Sequence, residues 1–196
     1  MRLVILGPNG SGKGTQAKML KRELGVPHIS TGELFRAAMR DGTPVGLRAA
    51  AMVAAGELVP DDLVLRILGE RLAESDAAGG YILDGYPRTG AQAAALDELL
   101  ADADRAVDSV IELAVPDAVI IERCEIRFAA QHRSDDDPAV VRERLALYRS
   151  HIPAITGHYA DRGIMTTIDG IGDATAVLHR ILAALPADPG FAAPHG

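Results

Sequence analysis

Short apolar runs alternate along the chain with longer stretches whose apolar residues recur every three or four positions. Val4-Ile5-Leu6, bounded by Gly7 and Pro8, predicts a buried parallel strand. Val26 to Ile29, Tyr81 to Leu83, Val110 to Leu113 and Ile164 to Ile168 predict four more, the third run ending at Asp84 and the last at Asp169. Between them, Ala17, Leu20 and Leu24 share one face of a predicted helix over Thr15 to Leu24, which Gly25 closes. Leu63, Ile67, Leu68 and Leu72 mark another over Asp62 to Ser75. Gln92 to Leu100, Asp117 to Ile126 and Asp173 to Leu185 follow the same pattern. Ala139 to Tyr159 is long, and Pro153 is expected to kink or divide it. Strands alternating with helices predict an α/β fold, a parallel sheet with helices on both faces. Two segments depart from the alternation: Ser30 to Val59, with helices and no strand, and the polar Arg127 to Pro138. The end, Pro186 to Gly196, is rich in Ala, Pro and Gly and is expected to fray.

Composition narrows the class. The 196 residues allow one domain with small insertions, or two very small ones. Apolar residues are 48% of the chain, enough for a sizeable core, but aromatics are 4% and tryptophan is absent. The core is therefore expected to be Ala, Leu, Val and Ile. A formal net charge of −7 argues against general nucleic-acid binding, which leaves a basic footprint. No run approaches the ~20 apolar residues of a membrane span, and the start does not read as a signal peptide. The expectation is a soluble cytoplasmic protein with neither nucleic acid nor membrane as partner. The one cysteine, Cys124, excludes a disulfide framework and a four-cysteine zinc site.

The chemistry is concentrated in Gly7-Pro8-Asn9-Gly10-Ser11-Gly12-Lys13-Gly14-Thr15, between a predicted strand and a predicted helix. Glycines let such a loop curl until its N–H groups point inward, and the helix N-terminus adds positive potential. Lys13 brings a mobile charge to the terminal phosphates and Thr15 a hydroxyl. A Gly-rich turn without a ligand is the plainer reading, but spacing and context both favour phosphate. The loop alone does not choose between a kinase, a GTPase and an ATPase.

Two further motifs narrow it. With Gly-Lys-Gly-Thr-Gln in the loop, Ser30-Thr31-Gly32-Glu33-Leu34-Phe35-Arg36 and Asp84-Gly85-Tyr86-Pro87-Arg88-Thr89 make the chain resemble adenylate kinase of the short-lid form, in the same order through about residue 185. The resemblance implies a five-stranded parallel sheet with two mobile flaps. The core would be 1–29, 60–121 and 138–185, the acceptor flap 30–59, the lid 122–137 and the tail 186–196. It implies ATP, AMP and ADP as partners, Mg²⁺ with the ATP, no zinc, and a monomer.

By the same resemblance, Gly10, Ser11, Gly12, Lys13, Gly14 and Thr15 hold the ATP phosphates. Arg123 packs on the ATP base, Arg127 contacts its phosphates, and Gly172 lies near its adenine. Thr31, Arg36, Glu57, Leu58, Val59, Gly85, Tyr86 and Pro87 belong to the AMP side, where Glu57 to Val59 line the adenine pocket. Lys13, Arg88, Arg133 and Arg144 surround the transferring phosphate, and the last three also touch AMP. The residues carry readings of their own. Thr31 suits an N-cap, and Arg36 a solvated helix charge. Asp84, at a strand's C-terminal end, can hold the hydration shell of Mg²⁺ or simply cap. Arg88 offers a bidentate fork to phosphate, and the Gln92 amide can read a base edge. Thr31 and Gln92 keep the adenylate pattern where UMP and CMP kinases differ.

Some positions depart from the family: Asn9 stands where proline is usual, Tyr86 where phenylalanine is more common, and His132 where short-lid relatives often have glycine. Asp135 and Asp136 match contacts that order the lid. His28, His151, His158, His179 and His195 show no metal spacing and read as structural or exposed. A kinase for another nucleoside monophosphate, UMP or CMP, and a non-catalytic nucleotide sensor remain as alternatives.

Overall fold

The computed structural model describes residues 1–54, 59–101, 106–131 and 137–186. Five parallel strands form its centre: β1 (Arg2–Leu6), β2 (His28–Ser30), β3 (Tyr81–Asp84), β4 (Ser109–Ala114) and β5 (Met165–Asp169), in the spatial order β2-β3-β1-β4-β5. Eight α-helices lie among the described residues: α1 (Lys13–Leu24), α2 (Thr31–Arg40), α3 (Pro44–Ala54), α4 (Asp61–Leu72), α5 (Gly90–Ala101), α6 (Asp117–Gln131), α7 (Pro138–Ala160) and α8 (Ala174–Ala184).

β1 shows why the sheet reads as apolar runs. Leu3, Val4, Ile5 and Leu6 are all at most 4% exposed, because both faces of the strand are covered. Leu3 and Ile5 join one core cluster with Ala17 and Leu20 of α1 and Val177, Leu178 and Ile181 of α8. Val4 and Leu6 face the other, with Leu68 of α4, Leu96 of α5 and Ile155 of α7. The period-2 alternation of a strand thus feeds two cores. Two smaller clusters stand apart. One joins Val45 and Ala49 of α3 to Leu63 of α4. The other joins Ile120 and Cys124 of α6 to Val141 and Leu145 of α7.

Three local expectations change. β2 begins at His28, two residues later than the apolar run suggests. Pro27 has no N–H for a ladder, and pairing starts with its carbonyl, which accepts from Ile82 N at 2.8 Å. α7 is one helix from Pro138 to Ala160; Pro153 does not divide it. Interior proline costs ~3 kcal/mol, whereas burying a large apolar side chain yields ~1.5–3 kcal/mol. Ile152, Ile155 and Tyr159 are all buried around that position. Finally, the N-cap of α2 is Ser30, without a side-chain cap bond, and Thr31 is the first helical residue.

Candidate active site

The C-terminal ends of β1, β3 and β4 meet where the strand order reverses, the usual ligand crevice of an open α/β sheet. The loop after β1 opens α1 through Gly12, at φ +96°. Gly10 is fixed by space as well as by its φ of +86°: a Cβ there would lie 2.8 Å from Cys124 Sγ and 2.9 Å from the Ile120 carbonyl. Cys124 is therefore a packing residue beneath the loop.

A cavity of about 260 Å³ lies over this loop. Gly10, Ser11, Gly12 and Thr15 line one side, Arg123 and Arg127 of α6 another, and Gly172 the far side. Arg123 donates from Nη1 to the carbonyls of Gly10 and Ser11 and from Nη2 to that of Gly170, each at 3.4 Å. It thereby spans the loop and the turn after β5. Gln16 also lines the cavity. Its Nε2 donates to the Ala174 carbonyl at 2.9 Å, and its buried Oε1 has no partner among the described residues. Neither Gln16 nor Gly170 was an expected site residue; the partner of Gln16 is 158 positions away, beyond any local pattern.

Lys13 turns its Nζ to the Pro8 carbonyl at 3.3 Å and to Asn9 Oδ1 at 3.5 Å. Asn9 thus gives the loop lysine a second acceptor. Burial holds the Lys13 ammonium below the ordinary lysine range; Asp84 opposes that shift, while the positive charges of Arg88 and Arg127 add to it. Gly14 stands beside Asp84, with 3.7 Å from its Cβ position to Oδ2.

β3 delivers Asp84 to the same crevice. Asp84 is 7% exposed, and its Oδ1 is buried without a partner among the described residues. Oδ2 lies 3.3 Å from His28 Nε2 of β2. His28, read from sequence as structural or exposed, is a neighbour of the site. The chain then turns at Gly85, φ +87°, where a Cβ would come within 2.9 Å of Thr31 Oγ1. Thr31 is buried and its hydroxyl lies over this turn. Arg88 is surface-exposed in the crevice and anchored by Nε, which donates to the Gly85 carbonyl at 2.8 Å. Desolvation first, and then the charge of Arg144 on α7, hold its guanidinium below the ordinary range; Asp84 opposes them.

Other expected acceptor residues sit differently. The Tyr86 ring is buried in the core and its hydroxyl has no partner among the described residues, so its backbone is what faces the turn. Burial raises its phenol pKa, and the Asp61 charge adds to the rise. Pro87 is buried too, after a cis peptide bond. Val59 packs partly buried against both the main core and the α3–α4 cluster. Arg36 is exposed and folds back on its own helix: a Cβ on Gly32 would lie 3.3 Å from its Nη1. The Gln92 amide is already engaged at both ends, Oε1 accepting from Arg88 N at 2.7 Å and Nε2 donating to Asp61 Oδ1 at 2.6 Å. Gln92 N also donates to Thr89 Oγ1 at 3.1 Å, which makes the pair a variant of the capping box. Glu57, Leu58, His132, Arg133, Asp135, Asp136 and the tail from 187 lie outside the described residues.

A glycine-rich loop opening a helix at the switch point of a parallel sheet, with cations gathered around it, defines a P-loop nucleotide-binding α/β protein. The sequence profile of the adenylate kinase family matches residues 5–164. The chain is 49% identical to the adenylate kinase of Xanthomonas euvesicatoria pv. vesicatoria (strain 85-10), over 94% of this chain and 99% of the relative. It is 48% identical to that of Xylella fastidiosa (strain 9a5c), with the same coverage. The chain belongs to the adenylate kinase family and is a phosphotransferase.

Proposed function

We propose that this chain catalyses the reversible Mg-dependent transfer of a phosphoryl group from ATP to AMP, giving two ADP. The observation that carries the reading is the cavity walled by the glycine-rich loop and by Arg123 and Arg127, with a shared electrostatic field around it. Lys13 responds to Arg88, Arg127 and Asp84, and Arg88 responds to Arg144 and Asp84. Four cations on four different elements or loops thus act on one space beside a phosphate loop. Such repulsion is relieved by an anionic ligand, and phosphoryl transfer asks for positioning and charge neutralisation rather than a protein nucleophile.

In this reading, the cavity over the loop holds ATP, with the base against Arg123 and Gly172 and the phosphates on the loop amides, Lys13, Thr15 and Arg127. AMP enters on the β3 side, between Thr31, Gly85 and Gln92, with its phosphate on Arg36 and Arg88. Arg133 and Arg144 complete the cage. Asp84 suits Mg²⁺: a hard carboxylate with an orphaned buried oxygen can hold metal-bound water, and Mg²⁺ usually takes few protein ligands. Bound there, Mg²⁺ supplies charge neutralisation at the phosphate oxygens. Zinc has no part in this reading. Residues 30–59 and 122–137 act as flaps; the small apolar clusters at α3–α4 and α6–α7 suit elements that move as units, the first touching the main core only through the partly buried Phe35 and Val59 among the described residues. The reading further includes a monomer in the cytoplasm, and the lone cysteine fits a reducing compartment.

Purified protein given ADP and Mg²⁺ is expected to form ATP and AMP in equal amounts. With ATP as donor and AMP, CMP, UMP or GMP as acceptor, AMP is expected to be used best. Nucleotide binding without disproportionation of ADP overturns the reading in favour of a sensor. Preference for a pyrimidine nucleotide overturns the acceptor assignment alone.

A further inference from the structure

We propose that Asp61 is a specificity-determining positioning residue: it fixes the orientation of the Gln92 amide so that the acceptor site reads a 6-aminopurine and refuses a 6-oxopurine. The inference rests on the reading of Gln92 as the residue that meets the acceptor base.

The two ends of a glutamine amide are nearly equal in shape and opposite in hydrogen-bonding sense, so an unrestrained glutamine can turn over and serve either pattern. Gln92 is not unrestrained. Its Oε1 accepts from the Arg88 backbone N–H at 2.7 Å, and its Nε2 donates to Asp61 Oδ1 at 2.6 Å. A backbone N–H cannot accept and a carboxylate cannot donate. Turning the amide over sets donor against donor at one end and oxygen against carboxylate at the other. The bond to Asp61 is charge-assisted and short, the stronger half of the lock. Gln92 is 8% exposed, so a wrongly turned amide has little water to compensate it.

After these two bonds, Gln92 keeps one N–H on Nε2 and one lone pair on Oε1. Adenine presents an acceptor, N1, beside a donor, the 6-amino group, and matches that pair. Hypoxanthine has the same size and presents the reverse, N1–H beside O6. It meets the fixed amide with donor against donor and acceptor against acceptor. A site built to hydrogen-bond one pattern rejects its opposite because buried polar groups are left unpaired. Asp61 is itself exposed, at the first turn of α4. Its replacement leaves the core intact.

The test compares kcat/KM for AMP and IMP, with ATP as donor, in the parent protein, Asp61→Asn and Gln92→Leu. Asparagine keeps the size of Asp61 but can donate as well as accept, and it removes the charge. The AMP-over-IMP preference is expected to fall at least tenfold in Asp61→Asn, with kcat for AMP changed little. A purely structural loss at the start of α4 lowers both acceptors together and leaves the ratio fixed; a ratio within twofold of the parent overturns the proposal. Gln92→Leu separates the two layers. If it collapses the ratio while Asp61→Asn does not, the lock is wrong and the base contact stands. If Gln92→Leu itself leaves the ratio unchanged in protein that melts cooperatively, the base contact is wrong and the inference falls with it.

Discussion

Arg88 carries the tension of the crevice: desolvation there and the neighbouring charge of Arg144 both disfavour its guanidinium, and Asp84 opposes them. What holds it there is geometry, the Nε bond to the Gly85 carbonyl at 2.8 Å. That bond uses one edge of a planar group and leaves the terminal nitrogens for phosphate. Lysine keeps the charge but has neither the edge bond nor the fork. Arg88→Lys is therefore expected to lower turnover by at least ~100-fold, about 3 kcal/mol of transition-state stabilisation, at saturating nucleotides and with an unchanged melting temperature. An unaltered turnover number removes Arg88 from the reacting phosphate. Lys13 shows the same physics in a titratable group. Burial in the crevice disfavours charging it, and phosphate bound beside it is expected to pull the pKa back up.

α7 tests how local cost and tertiary packing compete. Pro153 is exposed while Ile152 and Ile155 beside it are buried, so the ring contributes little packing and removes one helix hydrogen bond. Pro153→Ala is expected to stabilise the chain by up to ~3 kcal/mol, seen as a higher urea midpoint with unchanged slope. A lower midpoint means that the proline shapes the helix in a way its neighbours need. The same competition explains what could be read in advance. β1, the loop and α1 are contiguous, and each obeys a local rule: an apolar run buried on both faces, glycines at tight turns, Gly25 at the helix end with φ +66°. Those elements were legible, as was the sheet class. Division at Pro153 was one of two expected outcomes and does not occur, because the local penalty is outweighed by long-range burial. The pairings that tune the site were not legible. Gln92 meets Asp61 across 31 positions and His28 meets Asp84 across 56. No period or motif encodes such distances; only the closed topology brings them together. The capping role of Gln92 with Thr89 was not legible either.

At the scale of the molecule, a chain of net charge −7 keeps a cationic crevice for anionic substrates. That contrast requires the acidic surface to lie elsewhere and the crevice to be closed when chemistry occurs, because water competes with AMP for the phosphoryl group. The two proposed flaps answer this. α2 and α3 follow the edge strand β2 on the acceptor side, and Arg123 and Arg127 of α6 line the donor cavity. Each packs on a small apolar cluster, Val45, Ala49 and Leu63 on one side and Ile120, Cys124, Val141 and Leu145 on the other. If Arg36 and Arg133 reach the phosphates only on closure, ATP alone leaves the cage incomplete. Hydrolysis of ATP without acceptor is then expected to run at least ~1000-fold slower than transfer to AMP, a difference of about 4 kcal/mol in barrier. The measurement is phosphate release from ATP with Mg²⁺, compared with ADP formation when AMP is added. Trapping Arg36 at the acceptor phosphate should depend on AMP, so Arg36→Ala is expected to slow transfer while leaving the residual hydrolysis as it was. Rapid phosphate release from ATP alone would show that the crevice reacts while open, and the gating account would fail with it.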